Sequence, residues 1–213
     1  MLWGNCMEDD LKWADYVLDD YKFTEFPPGS LVVDVGCGYG DLLERLTKQG
    51  CRAIGVEVDE EAIAQCHSRG LRVLKAPAEA LPIATASMDG GICKGVLPYT
   101  DEAQAFAELR RVVKTGGRIE AMYLGSGYYA RYLLLGPSLR RRFYGSRSLL
   151  NTLVHNLSGR PLPGWLGDTI YQSPARLSSL YSQHGFKLLR ATSSKKFMGW
   201  PVFIYHSLEK QPG

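Results

Sequence analysis

The sequence predicts an α/β fold in which a mostly parallel sheet carries helices on both faces. The stretch LVVDVGCGYG, residues 31–40, is typical of a buried β-branched strand that runs into a glycine-rich turn. Segments with strand and helix patterns then alternate along the chain as far as residue 124. With 213 residues, 45% of them hydrophobic, the chain is long enough to form one domain with a full core.

The first unit of this fold is a strand, a glycine turn and a helix. The residues DLLERLTKQG after the turn place Leu42, Leu43 and Leu46 on one face of a helix. Gly50 is expected to end this helix, and Asp41 is expected to cap its start. The turn therefore lies at the amino terminus of a helix, where cofactors commonly bind.

The glycine turn could hold a dinucleotide or a cationic cofactor. The dinucleotide fingerprint G-x-G-x-x-G/A requires a third small residue at a position where this sequence has Asp41. Asp34 and Asp41 would also repel a doubly anionic pyrophosphate. S-adenosylmethionine carries a sulfonium and an ammonium group and no phosphate, so an acidic turn favours it over NAD.

Four motifs in order resemble those of the class I S-adenosylmethionine-dependent methyltransferases, beginning with VDVGCGYG. The segment 51–63 reads as a second strand that ends at Glu57, with Asp59 starting the next helix. The segment 71–101 contains a third strand, a loop with Ala78 and Glu79, and a fourth strand over 89–93. A helix, a Gly-Gly turn and a fifth strand over 118–124 follow, so the resemblance covers residues 30 to 124.

The resemblance implies a Rossmann-like, doubly wound sheet of seven strands with an antiparallel last strand. It also implies S-adenosylmethionine as cofactor and S-adenosylhomocysteine as product. The residues matching the family's cofactor site are Asp34, Gly36, Cys37, Gly38, Tyr39, Gly40, Glu57, Val58, Ala78, Glu79, Lys94 and Gly95. Glu57 is expected on the ribose hydroxyls, and the glycine turn beneath the amino-acid tail. Pro77 replaces an acid that is common in relatives, so backbone groups near Ala78, or Glu79 itself, would recognise adenine.

Charge is divided unevenly along the chain. Residues 1–122 hold 13 Lys and Arg against 20 Asp and Glu, a net charge of −7. Residues 123–213 hold 12 against 2, a net charge of +10. This asymmetry predicts an anionic partner for the second half, whether a carboxylate or phosphate substrate, a membrane surface or nucleic acid, with a merely solvated basic face as the alternative.

Residues 125–172 are too many for a simple connection after strand five, and they predict a helical insertion within a single domain of residues 1–213. Breaks are expected at Gly136-Pro137 and over 161–164. The resemblance implies that this insertion is a lid over the methyl acceptor. Its apolar and aromatic side chains favour a hydrophobic acceptor, with arginines holding an anionic tail.

The chain after the insertion predicts a helix and a closing antiparallel pair of strands. Ser173, Pro174 and Gly185 are the expected cap, first residue and stop of the helix. The segments FKLLRATSS and WPVFIYHSL read as the two strands.

Methyl transfer is an in-line displacement at an activated carbon, so few catalytic side chains are required. Tyr99, just after strand four, and His155, in the insertion, are the candidate catalytic residues. Lys94, Tyr123 and Tyr171 are further candidates. The alternative for each of these residues is that it packs in the core or positions the acceptor, and does not act as a base.

The predicted methyl acceptor is a small molecule, with O- or N-methylation favoured. The sequence after strand four reads CKGVLPY, without the Asn-Pro-Pro-Tyr or Pro-Cys motifs of base methylation, so nucleic acid is the weaker alternative. A lipid at a membrane surface and a protein are further possible acceptors. A protein that binds the cofactor without turnover is a separate alternative. Five cysteines without a C-x-x-C pair argue against a metal site. An acidic amino terminus and the lack of a long apolar run predict a cytoplasmic protein, with peripheral membrane attachment as an alternative.

Overall fold

The computed structural model describes residues 25–158, 160, 162–163, 166 and 174–212. The strands are β1 Leu31–Val35, β2 Arg52–Glu57, β3 Val73–Lys75, β4 Met88–Lys94, β5 Val113–Leu124, β6 Phe186–Ser193, β7 Lys196–Phe197, β8 Trp200–Pro201 and β9 Phe203–Lys210. The helices are α1 Asp41–Lys48, α2 Glu60–Ser68, α3 Glu102–Val112, α4 Ser126–Leu135, α5 Leu139–Ser158 and α6 Pro174–Gln183. The predicted cap Ser173 and the candidate Tyr171 lie outside the described residues.

Seven strands form one sheet in the order β3-β2-β1-β4-β5-β9-β6. The pairs among β1 to β5 are parallel, whereas β9 runs antiparallel to both β5 and β6. The predicted doubly wound, seven-stranded sheet with an antiparallel last strand is therefore confirmed. A small hairpin of β7 and β8, which the sequence patterns did not predict, precedes β9.

Helices cover both faces of this sheet. On one face, Phe106 of α3 and Leu177 of α6 share a buried cluster with Val33, Ile119 and Tyr123. The opposite face is covered by α1 and α2, through clusters that contain Leu43, Leu46 and Ile63, and by α4, through a cluster of tyrosines. This arrangement leaves the carboxyl ends of the strands open as the place for a site.

The strand register brings the carboxyl ends of three strands together. Val35 at the end of β1 pairs with Val56 of β2 on one side and with Cys93 of β4 on the other. The chain leaves β1 towards α1 and returns to β4 only after β2 and β3, so β1 and β4 flank a topological switch point. In open α/β sheets, ligands bind in the crevice at this point.

The start of α1 corrects one sequence-based expectation. Asp41 is the first helical residue rather than the cap, and Gly40 occupies the cap position in a left-handed conformation without a side-chain hydrogen bond. The Asp41 carboxylate instead pairs with the Arg69 guanidinium at 2.9 Å. The end of the helix is as predicted, because Gly50 has a φ of +84° and donates to the Thr47 carbonyl.

The predicted insertion is helical over its described part. α4 ends at Leu135 and α5 begins at Leu139, so the predicted break at Gly136-Pro137 is confirmed. The second break, over 161–164, falls only partly within the described residues. Tyr128, Tyr129 and Tyr132 of α4 are buried against β5 and β9, which makes α4 part of the core.

Candidate active site

The glycine turn between β1 and α1 has a packed side and an open side. Gly36, Gly38 and Gly40 all have positive φ, which glycine adopts without strain. A Cβ on Gly36 would lie 2.1 Å from the Val96 side chain, and one on Gly40 would lie 2.5 Å from Leu71. A Cβ on Gly38 would meet no atom within 4 Å. The two outer glycines permit close packing, and the middle one faces open space at the strand ends.

Glu57 holds this turn through backbone amides. Its Oε2 accepts a hydrogen bond of 2.9 Å from the Gly38 amide, across 19 residues of chain. Its Oε1 accepts from the amides of Val58 at 2.7 Å and Asp59 at 3.1 Å. The carboxylate therefore fixes the end of β2 against the glycine turn, a role that spacing alone did not reveal.

Asp34 adds a second, fully buried carboxyl group at the same edge. Burial raises its pKa to about 7; the nearby Lys94 opposes this shift and Glu57 adds to it. Electrostatic coupling to both side chains places Asp34 between the end of β2 and the end of β4. The edge therefore carries two acidic groups, one of which titrates near neutrality.

The other predicted residues of this turn lie around it. Tyr39 accepts at its carbonyl a hydrogen bond of 2.6 Å from Arg69, and Gly95 has a φ of +72° and donates to the Met122 carbonyl at 3.0 Å. Val58 is 58% exposed beside Glu57. Burial raises the pKa of the Cys37 thiol, which disfavours the nucleophilic thiolate.

The predicted adenine loop is fastened to α3. Ala78 is buried in the main core, and the Glu79 carboxylate accepts from the Asp101 amide at 2.8 Å. Arg111 donates to the carbonyls of Leu81 and Ile83 at 2.8 and 2.7 Å. The loop is thereby held at the strand ends, and its contact with adenine stays a prediction.

These residues fit S-adenosylmethionine better than an anionic cofactor. Gly38 offers open space over the turn that a side chain would fill. The acidic groups Asp34 and Glu57 favour a cationic ligand over a pyrophosphate, and Glu57 has lone-pair capacity beyond its three amide contacts. Among the described residues no group of three or more His, Cys, Asp and Glu side chains could hold a metal ion.

Tyr99 lies where the insertion meets the end of β4. It follows β4 on a 3₁₀ turn, Leu97–Tyr99, is 43% exposed, and its hydroxyl is 3.3 Å from that of Tyr144 on α5. Tyr128 lies within electrostatic range of both phenols, and burial raises its pKa well above 10. The structure therefore brings Tyr99 together with a cluster of phenols that the sequence reasoning did not assemble.

His155 contacts Arg176 of α6 and makes its described hydrogen bonds outside the tyrosine cluster. Its Nε2 is 3.1 Å from Nη1 of Arg176, and Arg176 forms an ion pair of 2.5 Å with the buried Glu102. Because a guanidinium only donates, His155 accepts here as neutral imidazole. Burial, together with Arg176, lowers its pKa. The contact favours a positioning role for His155 and leaves its catalytic role a prediction.

Tyr123, a further candidate, belongs to a buried network. The Tyr181 hydroxyl donates to that of Tyr123 at 2.8 Å and lies 2.6 Å from Nδ1 of His206. Burial raises the pKa of Tyr123 and lowers that of His206 to about 4. Both groups are neutral near pH 7, and the network joins β5, α6 and β9.

The geometry agrees with a family match. Residues 33–121, which hold the glycine turn, Glu57 and both loops after β3 and β4, match the family model described as a methyltransferase domain. The matched region is less than half of the chain, so the match shows a similarity of residues 33–121 to that domain. The matched region ends inside β5 and stops before α4.

Curated proteins that are similar to this region are named for different methyl acceptors. The chain is 33% identical over 102 residues to malonyl-[acyl-carrier protein] O-methyltransferase of Herminiimonas arsenicoxydans, covering 47% of this chain and 39% of that protein. It is 28% identical over 121 residues to a ubiquinone/menaquinone biosynthesis C-methyltransferase of Geotalea uraniireducens, covering 51% and 50%. It is 36% identical over 95 residues to tRNA (carboxymethyluridine(34)-5-O)-methyltransferase of Arabidopsis thaliana, covering 43% and 23%. The chain thus spans half or less of these relatives.

A solved structure extends the similarity from the matched region to most of the chain. An S-adenosylmethionine-dependent methyltransferase from Mesorhizobium loti superposes with a TM-score of 0.67 over 89% of this chain and 95% of that one. The sequences are 16% identical, so the match establishes the shared fold, including the region after β5.

Proposed function

We propose that this protein transfers a methyl group from S-adenosylmethionine to a small, hydrophobic acceptor, with O- or N-methylation favoured. The observation that carries the proposal is the bond from Gly38 to Glu57, which sets an acidic carboxylate beside an open glycine turn at the switch point. That arrangement suits a cationic nucleoside and disfavours a pyrophosphate.

Each residue of the turn has a separate task in this proposal. The remaining lone pairs of Glu57 accept from the ribose, and the open face of Gly38 lets the amino-acid tail approach the backbone. Asp34 balances the positive charge of the ligand. When bound, S-adenosylmethionine supplies an activated methyl group, so the protein's part is to orient the acceptor and exclude water.

The acceptor side of the proposal rests on the tyrosines. Tyr99 and Tyr144 meet after the end of β4, with the buried Tyr128 within electrostatic range of both, and this aromatic surface suits a hydrophobic ring or chain. The similar curated proteins are named for a malonyl-acyl-carrier protein, for quinone biosynthesis and for tRNA, so they favour no single acceptor class, and the tyrosines of this chain carry the proposal.

We also propose that residues 125–172 act as a lid over the methyl acceptor. Because α4 is packed into the core, the part of the described insertion that could move begins after Gly136. Replacing α5 by a short linker should then leave cofactor affinity within a few fold and abolish transfer. Loss of cofactor binding in that variant would assign α5 to the structural core instead.

The experiment that tests the proposal has two parts. Calorimetry should detect binding of S-adenosylmethionine and S-adenosylhomocysteine; tighter binding of NAD would overturn the cofactor assignment. The protein is then incubated with methyl-labelled cofactor and fractionated cell extract. Label in a small-molecule fraction supports the proposed acceptor, label in RNA or protein contradicts it, and binding without any transfer contradicts the enzymatic part.

A further inference from the structure

Helix α5 has the reverse of the usual amphipathic arrangement. The face that it buries carries small and polar side chains, among them Gly145, Ser148, Asn151 and Thr152. Tyr144 and Leu149 also pack towards the core, but five large apolar side chains on the other face point to solvent and are between 52% and 85% exposed. We call the five of them the α5 stripe: Leu139, Phe143, Leu150, Leu153 and Leu157. A helix normally buries such residues, so this face is built for contact with something apolar.

The α5 stripe is narrow and long. At 100° per residue, its members fall within about 40° on either side of one line along the helix. From Leu139 to Leu157 the stripe extends for about 27 Å at the helical rise. A straight apolar line of this length suits a flat partner rather than a small pocket.

Positive charge accompanies the α5 stripe. Arg140 and Arg142 are exposed next to its first two members. The sequence has no Asp or Glu from residue 121 to 167, a range that includes both insertion helices. Any partner that covers the stripe therefore meets basic side chains that no carboxylate of α4 or α5 offsets, and an anionic partner is favoured.

We infer that the α5 stripe docks on the surface of a membrane that contains anionic lipid, with its leucines at the level of the acyl chains and its arginines at the phosphates. Apolar side chains on one face and basic residues beside them are the features of helices that lie in the interfacial plane. No helix among the described residues is long and apolar enough to cross a membrane, so the contact is made from one side.

Other occupants fit less well. A second copy of the chain, packed stripe to stripe, would add more arginines to the interface and no carboxylate from either α5. Nucleic acid would satisfy the arginines but would leave aliphatic side chains such as Leu153 and Leu157 against phosphate and water. A membrane surface provides phosphates for the arginines and acyl chains for the leucines.

The inference deepens the proposed function but is tested without it. Docking through α5 would set the tyrosines at the end of β4 close to the bilayer, where a hydrophobic acceptor is concentrated. Binding to vesicles requires neither cofactor nor methyl transfer, so its failure is distinguishable from failure of the methyltransferase proposal. Titration with S-adenosylmethionine on the same variants keeps the two readouts separate.

The test is cosedimentation of the whole protein with vesicles of phosphatidylcholine alone or with about one quarter phosphatidylglycerol. The stripe variant is L153Q/L157Q, and its matched control is L74Q/L188Q, which changes two exposed leucines on β3 and β6. The charge variant is R140E, matched by R52E at the exposed start of β2. Thermal melting checks that all four variants fold.

The wild-type protein and both controls should bind the anionic vesicles and release them as salt is raised. The stripe variant should bind the anionic vesicles at least about tenfold more weakly than the wild type. The charge variant should lose its preference for anionic lipid. The inference is overturned if the wild type ignores anionic vesicles or if the stripe variant binds as well as its control. A lipid-free dimer that the stripe variant dissociates would overturn it too, because a second copy would then be the occupant.

Discussion

Glu57 Oε2 accepts a hydrogen bond of 2.9 Å from the backbone amide of Gly38, so the acid at the end of β2 and the open glycine of the turn form one unit. The carboxylate shapes the turn as well as facing the site. A substitution at Glu57 should therefore act on both the ligand and the loop.

Replacing Glu57 by Ala should weaken S-adenosylmethionine binding by about 1 to 3 kcal/mol, the range for leaving paired polar groups unsatisfied. Glu57→Gln should weaken cofactor binding by more than the loss of one charge predicts. Its side-chain NH2 group would face a backbone N–H of the turn, and two donors cannot pair. Calorimetry measures the affinities, and Glu61→Gln on the exposed side of α2 is the control. Equal affinity in wild type and Glu57→Ala would contradict the assignment.

The middle glycine of the turn separates folding from ligand binding. Gly38→Ala and Gly70→Ala both place a Cβ in open space at positive φ, +51° and +72°, so each should cost about 1 kcal/mol of unfolding free energy. Only Gly38→Ala should also reduce cofactor affinity. Chemical denaturation and calorimetry on the same two proteins provide the comparison; parallel affinities would remove Gly38 from the site.

Asp34 should make stability depend on pH. Its folded pKa of about 7 lies above the ordinary value of 3.8, so the folded state holds a proton that the unfolded chain has released. Stability is therefore lost as pH rises from about 4 to about 7, and Asp34→Asn should remove this loss. Denaturation at several pH values should show the variant gaining on the wild type across that window and no further above it.

The same carboxyl group should release a proton when a cationic ligand binds. A sulfonium or ammonium beside Asp34 favours the carboxylate, so at about pH 6 binding should release close to one proton in the wild type. Asp34→Asn should release none. Calorimetry in two buffers of different ionisation enthalpy measures the proton count, and equal release from both proteins would place the ligand's charge elsewhere.

Tyr99→Phe and Tyr144→Phe separate catalysis from packing. Both remove one hydroxyl of the same 3.3 Å contact, so they should lower stability by similar, small amounts of about 0.5 to 1.5 kcal/mol. If Tyr99 takes the proton of the methyl acceptor, only Tyr99→Phe should abolish label transfer while cofactor affinity is kept. Equal transfer rates in the two variants would limit Tyr99 to positioning.

The sequence predicted the parts of the fold that depend on local patterns. The strand before Gly36 and the helix stop at Gly50 follow from residue types that admit few conformations, and the structure has them where expected. The prediction that Asp41 caps α1 was wrong. Gly40, in a left-handed conformation, begins the helix without a side-chain cap, and Asp41 pairs with Arg69 instead.

The partners of the candidate side chains could not be predicted in the same way. Tyr99 meets Tyr144 from 45 residues along the chain, and His155 meets Arg176 only because α5 and α6 come together in the fold. The leucines of α5 have regular helical spacing, which indicates a helix but does not say which face the domain covers. These leucines are exposed because α5 packs against the domain through the small residues on its opposite face, and that packing is known only from the structure.

The position of β9 has a consequence for biosynthesis. It is the last strand of the sheet to be translated, yet it lies between β5 and β6 and pairs with both. While the ribosome is still making residues 203–210, β5 has an open edge and β6 has no neighbour in the sheet. A nascent chain stalled in this interval would expose that edge to other chains, so aggregation during synthesis should depend on the translation rate just before β9.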